Sequence, residues 1–312
     1  MRCLTMTLNA AIDVTYVVEG FRPGAIHRVE PGLAVPGGKG NNVARVLATL
    51  GHRVVATGFV AGRAGDTIAR GLRASGVVAA FARVPGESRT CLTIRDAATG
   101  EATELLEHGA TIPPAAATHF LRRAAKLAAD VDAVVISGSL PEGLPPDYYA
   151  LVLGALRPFG AHLALDTSGE ALRLGLAGRP DLLKPNQDEL AALLGPLDDL
   201  PMLVARTRRS LIDEQGIGRV LVSLGARGAV LIGAGAALRA IPPPVDAVNT
   251  VGAGDALLAG FVAALGEGDD ECAALARAVA TGTASVLHPT GGVVDPADVS
   301  RLRDAVLVEP VA

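Results

Sequence analysis

The sequence predicts an α/β protein built around a mostly parallel sheet, and two observations support this prediction. Short apolar runs alternate with helical patterns through most of the chain, and a glycine-rich or polar turn follows each run, as in successive βαβ units. The runs lack polar alternation, which is typical of strands buried on both faces of a parallel sheet. Four such runs span residues 131–136, 162–165, 181–183 and 220–223.

The segments around these runs have helical periodicity. The clearest span residues 41–50, 67–75, 117–129, 147–157 and 253–265. A glycine directly follows the first two and the last of them, at the position where many helices close. We expect these helices to pack on the sheet and to cover its apolar strands.

Two segments interrupt the βαβ rhythm. Residues 12–35 and 84–107 alternate apolar and polar side chains around Gly/Pro turns, which predicts short strands of a small inserted sheet. Such a sheet has no helix of its own to cover its apolar face, so it must close over the body or against a partner chain. Because the sequence has no internal repeat and no linker, we expect residues 1–312 to form a single domain.

Composition and charge exclude several classes of protein. Half of the 312 residues are apolar and 19% are charged, so little of the chain can be disordered. The formal charge of −4 lacks the broad basic footprint of a nucleic-acid-binding protein. No uncharged run is long and apolar enough to span a membrane, and the three cysteines form no CxxC pattern, which favours a reducing compartment. We therefore expect a cytoplasmic protein that binds neither nucleic acid nor membranes.

The strongest motif is NTVGAGD at residues 249–255, which opens a helical pattern. Gly252, Ala253 and Gly254 let the backbone approach a ligand, and free N–H groups at a helix start can bind an anion. The carboxylate of Asp255 has two interpretations. It is a favourable acid at a helix N-terminus, or it is a general base for a hydroxyl that attacks phosphorus while the glycine amides bind the developing charge.

A second glycine-rich turn, PGGKGNN at residues 36–42, also opens a helix. It is not a P-loop, because Lys39 is followed by Gly40 rather than by Ser or Thr and position 33 is Leu. One cation and two side-chain amides suit a phosphate and the hydroxyls of a polyol. A glycine hinge with a solvated lysine is the alternative.

Three further motifs follow predicted strands, at the edge of a parallel sheet where ligands bind. SGSLP at residues 137–141 is a ligand loop or a plain turn. KPNQDE at residues 184–189 sets Asn186 and Glu189 one helical turn apart, where they can order water around Mg²⁺ or form a capping box. SLGARG at residues 223–228 has glycines against which a nucleotide can lie, and by itself it predicts a hairpin turn.

The sequence supports neither nicotinamide-dependent chemistry nor a catalytic or metal-binding role for the histidines. No G-x-G-x-x-G fingerprint separates the first strand from the first helix, so a nicotinamide cofactor is not indicated. The six histidines have no metal-ligand spacing and no obvious nucleophile partner.

In combination and in this order, NTVGAGD, GGKGNN, the NxxE of residues 186–189 and the SLGxxG of residues 223–228 resemble the PfkB branch of the ribokinase-like kinases. NAAID at residues 9–13, the lysine of GGKG, SRT at residues 88–90, SGSLP and KPN resemble more narrowly its phosphofructokinase and tagatose-6-phosphate kinase group. The likeness covers nearly the whole chain. It implies a ribokinase-like three-layer α/β/α sandwich with a β-sheet lid from about 12–35 and 84–107, and a homodimer formed through the lids.

The resemblance also implies a role for each motif residue. Asp255 is the expected catalytic base, beside an anion hole formed by Gly252, Ala253 and Gly254. The residues expected to hold sugar hydroxyls are Asp13, Gly38 and Asn42. Those expected to bind the phosphate already on the sugar are Lys39, Arg89 and Ser139. The residues expected near ATP are Lys184, Asn186, Glu189, Ser223, Gly225 and Gly228, and Mg²⁺ is expected near Asn186 and Glu189, held through ATP phosphates and water rather than by direct ligation.

The implied activity is ATP- and Mg²⁺-dependent phosphorylation of a ketohexose monophosphate, foremost fructose 1-phosphate to fructose 1,6-bisphosphate. Direct in-line transfer is expected, because the base and the anion hole suffice and no nucleophilic residue appears. Fructose 6-phosphate and tagatose 6-phosphate stay open as acceptors, because His27 and Arg28 stand where members of the group vary. A non-catalytic regulator that binds nucleotide and sugar phosphate is the alternative of another class, and the intact Asp255 disfavours it.

Overall fold

The structure is a computed structural model and describes residues 1–311. Its strands are β1 (Arg2–Thr7), β2 (Ala11–Val18), β3 (Leu33–Gly37), β4 (Arg53–Val60), β5 (Val78–Ala79), β6 (Ala82–Arg83), β7 (Arg89–Asp96), β8 (Ala102–Leu106), β9 (Ala133–Ser137), β10 (His162–Asp166), β11 (Leu182–Leu183), β12 (Arg219–Ser223), β13 (Ala229–Ile232), β14 (Leu238–Ile241) and β15 (Leu307–Pro310). Its α-helices are α1 (Lys39–Thr49), α2 (Gly62–Ala74), α3 (Pro114–Ala128), α4 (Tyr148–Leu156), α5 (Gly169–Gly175), α6 (Gln187–Leu194), α7 (Leu200–Thr207), α8 (Ala253–Glu267), α9 (Glu271–Ser285) and α10 (Pro296–Arg303). Within residues 1–311 no helix is long and apolar enough to cross a membrane.

The larger sheet has the strand order β15-β14-β13-β12-β11-β10-β9-β1-β4-β5, and β6 also pairs with β4. The pairs from β12 to β5 are parallel, and those from β12 to β15 are antiparallel. The predicted mostly parallel sheet is therefore confirmed. The four apolar runs of the sequence correspond to β9, β10, β11 and β12.

Helices cover both faces of this sheet, which gives the three layers that the family resemblance implies. Neighbouring residues of β9 show the division, because successive side chains of a strand point to opposite faces. Val135 packs into one core with residues such as Phe261 of α8. Ile136 packs into the other with residues such as Phe120 of α3 and Tyr149 of α4. The apolar strands thus lie between two separate hydrophobic cores.

The second sheet, which we call the lid, has the order β3-β2-β7-β8. Its strands come from the two segments that interrupt the βαβ rhythm. The pairs β2–β3 and β7–β8 are antiparallel, whereas β2 and β7 are parallel. Four large apolar side chains of the lid are exposed: Val17, Leu33, Leu105 and Leu106. The predicted small separate sheet is confirmed, and part of its apolar surface is uncovered in the single chain.

Helix α2 begins earlier than the predicted range 67–75. It begins at Gly62, because the Glu87 carboxylate accepts a hydrogen bond from the N–H of Ala64 and satisfies one of the free donors at the helix start. This contact comes from a residue distant in sequence, so the local pattern did not reveal it.

Candidate active site

Asp255 lies in the first turn of α8 and is 5% exposed. The helix is buried from Asp255 to Ala264 and carries no other charged side chain before Glu267. A carboxylate in so apolar a helix costs free energy unless its charge is stabilised. Its position therefore indicates a functional site rather than a solvated acid at a helix end.

The turn before α8 is shaped to bring the backbone close to a ligand. Gly252 has a φ of 82°, in the left-handed region, and a Cβ there would lie 3.0 Å from the Cα of Gly291. No backbone or side-chain group of residues 1–311 accepts a hydrogen bond from the N–H of Gly254. The start of α8 thus offers a free donor where an anion can bind.

The environment of Asp255 favours proton transfer near neutral pH. Burial raises the pKa of its carboxyl group, and the nearby charge of Asp166 raises it further. The side-chain amide of Asn42 donates a hydrogen bond to Oδ2 of Asp255 over 2.9 Å. That bond and the charges of Lys39 and Lys184 favour the ionised form and partly oppose the rise. A carboxylate with a raised pKa suits a general base.

Two lysines converge on Asp166, which is fully buried at the end of β10. Lys39 Nζ lies 3.1 Å from Oδ1 of Asp166, and Lys184 Nζ lies 3.4 Å from Oδ2. Lys39 Nζ also lies 3.8 Å from Oε1 of Glu189. Burial disfavours the charged form of Lys39, but the surrounding carboxylates outweigh burial and raise its pKa. The side chain of Lys39 is 38% exposed and that of Lys184 is 4% exposed, so Lys39 is the cation that an incoming ligand meets first.

Lys184 lines the turn at the start of α8. Its Nζ lies 3.4 Å from the position that a Cβ on Gly254 would occupy. Lys184 directly follows β11, so the carboxyl end of that strand faces the anion-binding turn. The predicted residues of NTVGAGD, GGKGNN and KPN therefore meet in one place.

The sequence patterns did not indicate Asp166 as a site residue. Asp166 pairs in register with Ser137 of β9, which sets its DTSG turn beside the SGSLP turn. The available signal was its position directly after a predicted strand, because strand ends of a parallel sheet line ligand clefts. A short polar turn after a strand is too common to stand out without the partners that the fold brings to it.

The predicted sugar-binding residue Asp13 lies on β2, opposite the start of the GGKG turn. Burial raises the pKa of Asp13, whereas a hydrogen bond from the N–H of Gly38 and the charges of Arg89 and Arg45 oppose the rise. A Cβ on Gly37 would overlap the carboxyl group of Asp13. The glycine at position 37 therefore leaves the space in which this carboxylate lies.

The two other predicted phosphate-binding residues, Arg89 and Ser139, both contact Asn9. Arg89 Nε donates to the backbone oxygen of Asn9 over 3.2 Å, and Nδ2 of Asn9 donates to Oγ of Ser139 over 3.2 Å. The hydroxyl of Tyr149 donates to the backbone oxygen of Gly138 over 2.8 Å and holds the SGSLP turn. Asn9 thus connects the lid residue Arg89 with the body residue Ser139.

In the part of the site assigned to the nucleotide, the structure contains both the capping box and the hairpin turn that the sequence allowed as alternatives to ligand-binding roles. Asn186 and Glu189 form a capping box, in which each side chain accepts a hydrogen bond from the backbone N–H of the other. Gly225 and Gly228 lie in the hairpin turn between β12 and β13. That turn approaches the cluster through Ser223, whose backbone forms a β-bridge with Asn186. The second carboxylate oxygen of Glu189 still faces Lys39, so the capping box does not remove this side chain from the site.

Residues 1–311 contain no group of three or more His, Cys, Asp or Glu side chains arranged to hold a metal ion. The carboxylates of the cluster contact lysines instead. The arrangement can therefore bind phosphate groups through two lysines and the free N–H of Gly254 while a buried carboxylate accepts a proton.

Comparison with known proteins identifies the relatives of this chain. The family model described as pfkB family carbohydrate kinase matches residues 5–297. A 1-phosphofructokinase of Rhodobacter capsulatus is 41% identical over 292 residues, which cover 93% of this chain and 92% of that protein.

Solved structures are similar over the whole fold. Phosphofructokinase-2 from Escherichia coli in complex with substrates and products has a TM-score of 0.90 and 28% identity, and the match covers 98% of this chain and 99% of that one. A possible 1-phosphofructokinase from Thermotoga maritima has a TM-score of 0.89 and 26% identity over 100% of both chains. The ribokinase-like fold expected from the motifs is confirmed.

Proposed function

The chain belongs to the pfkB family of carbohydrate kinases, and from this premise we propose that it phosphorylates the free primary hydroxyl of fructose 1-phosphate with ATP, giving fructose 1,6-bisphosphate. One observation carries the proposal: a buried carboxylate, Asp255, stands at a helix start with two lysines beside it. The choice of acceptor is supported by the 41% identity to the 1-phosphofructokinase of R. capsulatus.

Asp255 is the general base in this proposal. It accepts the proton of the acceptor hydroxyl as that oxygen bonds to the γ-phosphorus of ATP, and ADP leaves as the bond from the γ-phosphorus to the bridging oxygen breaks. The N–H groups of Gly252, Ala253 and Gly254 bind the negative charge that develops on the transferring group. That of Ala253 exchanges its hydrogen bond to the backbone oxygen of Thr250, 3.3 Å long, for this contact. Transfer is direct, because a positioned base and an anion hole make a phosphoenzyme unnecessary.

The lysines supply positive charge to the phosphate groups. Lys184, buried beside Gly254, suits the phosphates of ATP. Lys39 is expected from the family resemblance to bind the phosphate already on the sugar. Its position between Asp166 and Glu189 favours an additional role at the transferring phosphoryl group, because it lies close enough to Asp255 to influence the charge of that carboxylate.

The sugar phosphate lies between the lid and the body in this proposal. The residues assigned to its hydroxyls are Asp13, Gly38 and Asn42. Its phosphate is assigned to Arg89 and Ser139 together with Lys39. Arg89 suits this role because a guanidinium can pair with phosphate through two donors. The shared contact with Asn9 supports a common binding place for Arg89 and Ser139.

The residues around the lysines fit a magnesium ion carried on the ATP phosphates. Oδ2 of Asp166 is buried and forms no hydrogen bond within residues 1–311, its contact being the ion pair with Lys184 at 3.4 Å, and Oε1 of Glu189 faces the same cluster. Carboxylate oxygens are ligands that Mg²⁺ accepts directly or through water. Asn186 and Glu189 would hold the ion through water and the ATP phosphates, and its chemistry would be to neutralise charge on the transferring group.

The remainder of ATP is assigned to the hairpin turn that contains Ser223, Gly225 and Gly228. A Cβ on Gly225 would meet open space, which leaves the backbone of this turn accessible to a planar ligand. The bridge between Ser223 and Asn186 supports a continuous path from this turn to the phosphate cluster.

The lid is assigned two roles. Closure over the sugar excludes water, which otherwise competes for the phosphoryl group. The exposed edge strand β8, with Leu105 and Leu106 on it, pairs with the lid of a second copy, because a row of apolar side chains beside unpaired backbone groups favours association. We assign the resulting homodimer to the cytoplasm, where ATP and sugar phosphates are available.

An acceptor panel tests the proposal. ADP release is measured with fructose 1-phosphate, fructose 6-phosphate, tagatose 6-phosphate, fructose and ribose, and the highest kcat/KM is expected with fructose 1-phosphate. Preference for a 6-phosphate ester would correct the acceptor. Unphosphorylated sugars outperforming all three esters would refute the roles of Lys39 and Arg89, and ligand binding without turnover by any acceptor would identify a regulator.

A further inference from the structure

Arg45 is a buried cation to which the proposed mechanism gives no role. It lies on α1 and is 7% exposed. Burial lowers the pKa of its guanidinium, and the charge of Asp13 partly opposes this. Because burial of a charge is unfavourable unless the charge is compensated, its contacts require an explanation.

The guanidinium of Arg45 contacts two loops that are distant in sequence. Nη1 donates to the backbone oxygen of Gly291 over 3.1 Å and reaches that of Pro36 at 3.4 Å. Pro36 precedes Gly37, which leaves the space for the Asp13 carboxylate. Gly291 packs on Gly252, the first residue of the assigned anion hole. Arg45 therefore lies between the end of β3 at Pro36 and Gly37, which we call the lid root, and the turn at the start of α8.

We propose that Arg45 is a positioning residue that fixes the lid root relative to the anion-hole turn at the start of α8. Through this bridge, binding of the sugar phosphate orders the turn that receives the phosphoryl group. The inference rests on the proposed function, since it assumes that the sugar binds at Asp13. Nη1 carries two N–H groups, one for each carbonyl, and the planar guanidinium fixes the directions in which they point. An ammonium at the end of a lysine can retain the charge but does not reproduce that geometry.

Arg45 also affects the charge of Asp13. The groups that face Asp13 are Arg45 on α1, Arg89 and Cys91 on β7, Glu104 on β8 and the N–H of Gly38. The positive charges of Arg45 and Arg89 favour the ionised carboxylate, whereas Glu104 opposes it. Removal of the Arg45 charge therefore raises the pH at which Asp13 ionises.

Two substitutions separate these effects. Arg45→Met removes both the charge and the bridge, so we expect kcat per folded molecule to fall about 10-fold to 10²-fold, the range for a small misplacement of reacting groups. We also expect the loss of fructose 1-phosphate binding on acidification, measured calorimetrically without nucleotide, to move to higher pH, a readout that does not require proton acceptance by Asp255. Arg45→Lys keeps the charge, so we expect the lower kcat without the shift in pH. Arg277→Met, which removes another largely buried arginine on α9, should lower stability alone. If kcat per folded molecule equals the wild-type value in both Arg45 variants, the inference is wrong.

A measurement on the wild-type protein does not depend on the folding of a variant. Fructose 1-phosphate alone, without nucleotide, should slow hydrogen exchange of the amides at residues 290–292, a segment to which the proposal assigns no sugar contact. Binding of the ester without this protection would overturn the role of Arg45. Absence of ester binding would instead refute the proposed function, so the two failures are distinguishable.

Discussion

The side-chain amide of Asn42 donates a hydrogen bond to Oδ2 of Asp255 over 2.9 Å, and this bond joins the first turns of α1 and α8. Both residues are almost completely buried. Each helix begins after a glycine with positive φ, Gly38 for α1 and Gly252 for α8. One hydrogen bond thus connects the turn assigned to the sugar with the turn assigned to the transferring phosphoryl group.

The first prediction concerns the proton acceptor. Asp255→Asn keeps the size of the side chain but removes its basicity, so kcat should fall about 10²-fold to 10⁴-fold, the contribution of a general base. ATP binding should persist, because the lysines and the free N–H groups are unchanged. Steady-state ADP release and calorimetric titration with an ATP analogue measure the two effects. If the Asp255→Asn variant retains more than a tenth of the wild-type kcat, Asp255 is not the general base.

The second prediction is a pH dependence. The base must be ionised to accept a proton, and burial raises the pKa of Asp255 to about 7, so kcat should rise with pH through the neutral range. Lys184→Met removes a positive charge that favours the ionised carboxylate, so the acid limb of the kcat–pH profile should move to higher pH. Lys126→Met removes the same charge from the exposed face of α3 and should leave the limb in place. Coincident profiles for the wild type and Lys184→Met would contradict the assignment.

The third prediction tests the space beside Asp13. An alanine at position 37 would overlap the Asp13 carboxylate, so Gly37→Ala should raise the KM for the sugar phosphate by about 10-fold to 10²-fold, the equivalent of a hydrogen bond to a charged group. The KM for ATP should change little.

Gly154→Ala is the matched control for this substitution. Gly154 lies in α4 where a Cβ meets nothing within 4 Å, so alanine should increase stability by about 0.4–1 kcal/mol without altering either KM. Thermal unfolding and initial rates of both variants make the comparison. An unchanged sugar KM in Gly37→Ala would show that the position of Asp13 does not determine sugar binding.

The fourth prediction concerns association through the lid. Leu106→Asp adds a charge to the exposed strand β8, so the dimer proposed for the wild type should dissociate to monomers in sedimentation velocity experiments. Leu151→Asp makes the same change on an exposed leucine of α4 in the body and should leave the dimer intact. If Leu151→Asp dissociates the dimer and Leu106→Asp does not, the interface lies on the body rather than on the lid.

The parts of the site that the sequence predicts are those with a local signal. Gly38 and Gly252 directly precede helices and have backbone conformations that favour glycine, so the turns could be recognised from a few neighbouring residues. The apolar runs predicted the parallel sheet for a similar reason, since burial of both faces leaves its pattern in each strand separately.

The residues that the sequence did not indicate depend on contacts between distant segments. Asp166 acquires its two lysines only when α1 and β11 meet the end of β10. Arg45 lies within a helix and gives no turn signal, and its partners belong to β3 and to the segment after α9. Such roles follow from the packing of whole elements, which one short pattern does not specify.

The parallel pairing of β2 with β7 sets the point in synthesis at which the lid can be completed. These neighbours are separated along the chain by β3, α1, β4, α2, β5 and β6, so the pair gains contacts only after a long loop has closed. The central pair of the body, β1 with β9, is more distant still, since Cys3 pairs with Ala133. A nascent chain that ends after β8 therefore contains every strand of the lid but lacks β9–β15 and α8, so the turn assigned to the transferring phosphoryl group is added after the lid strands.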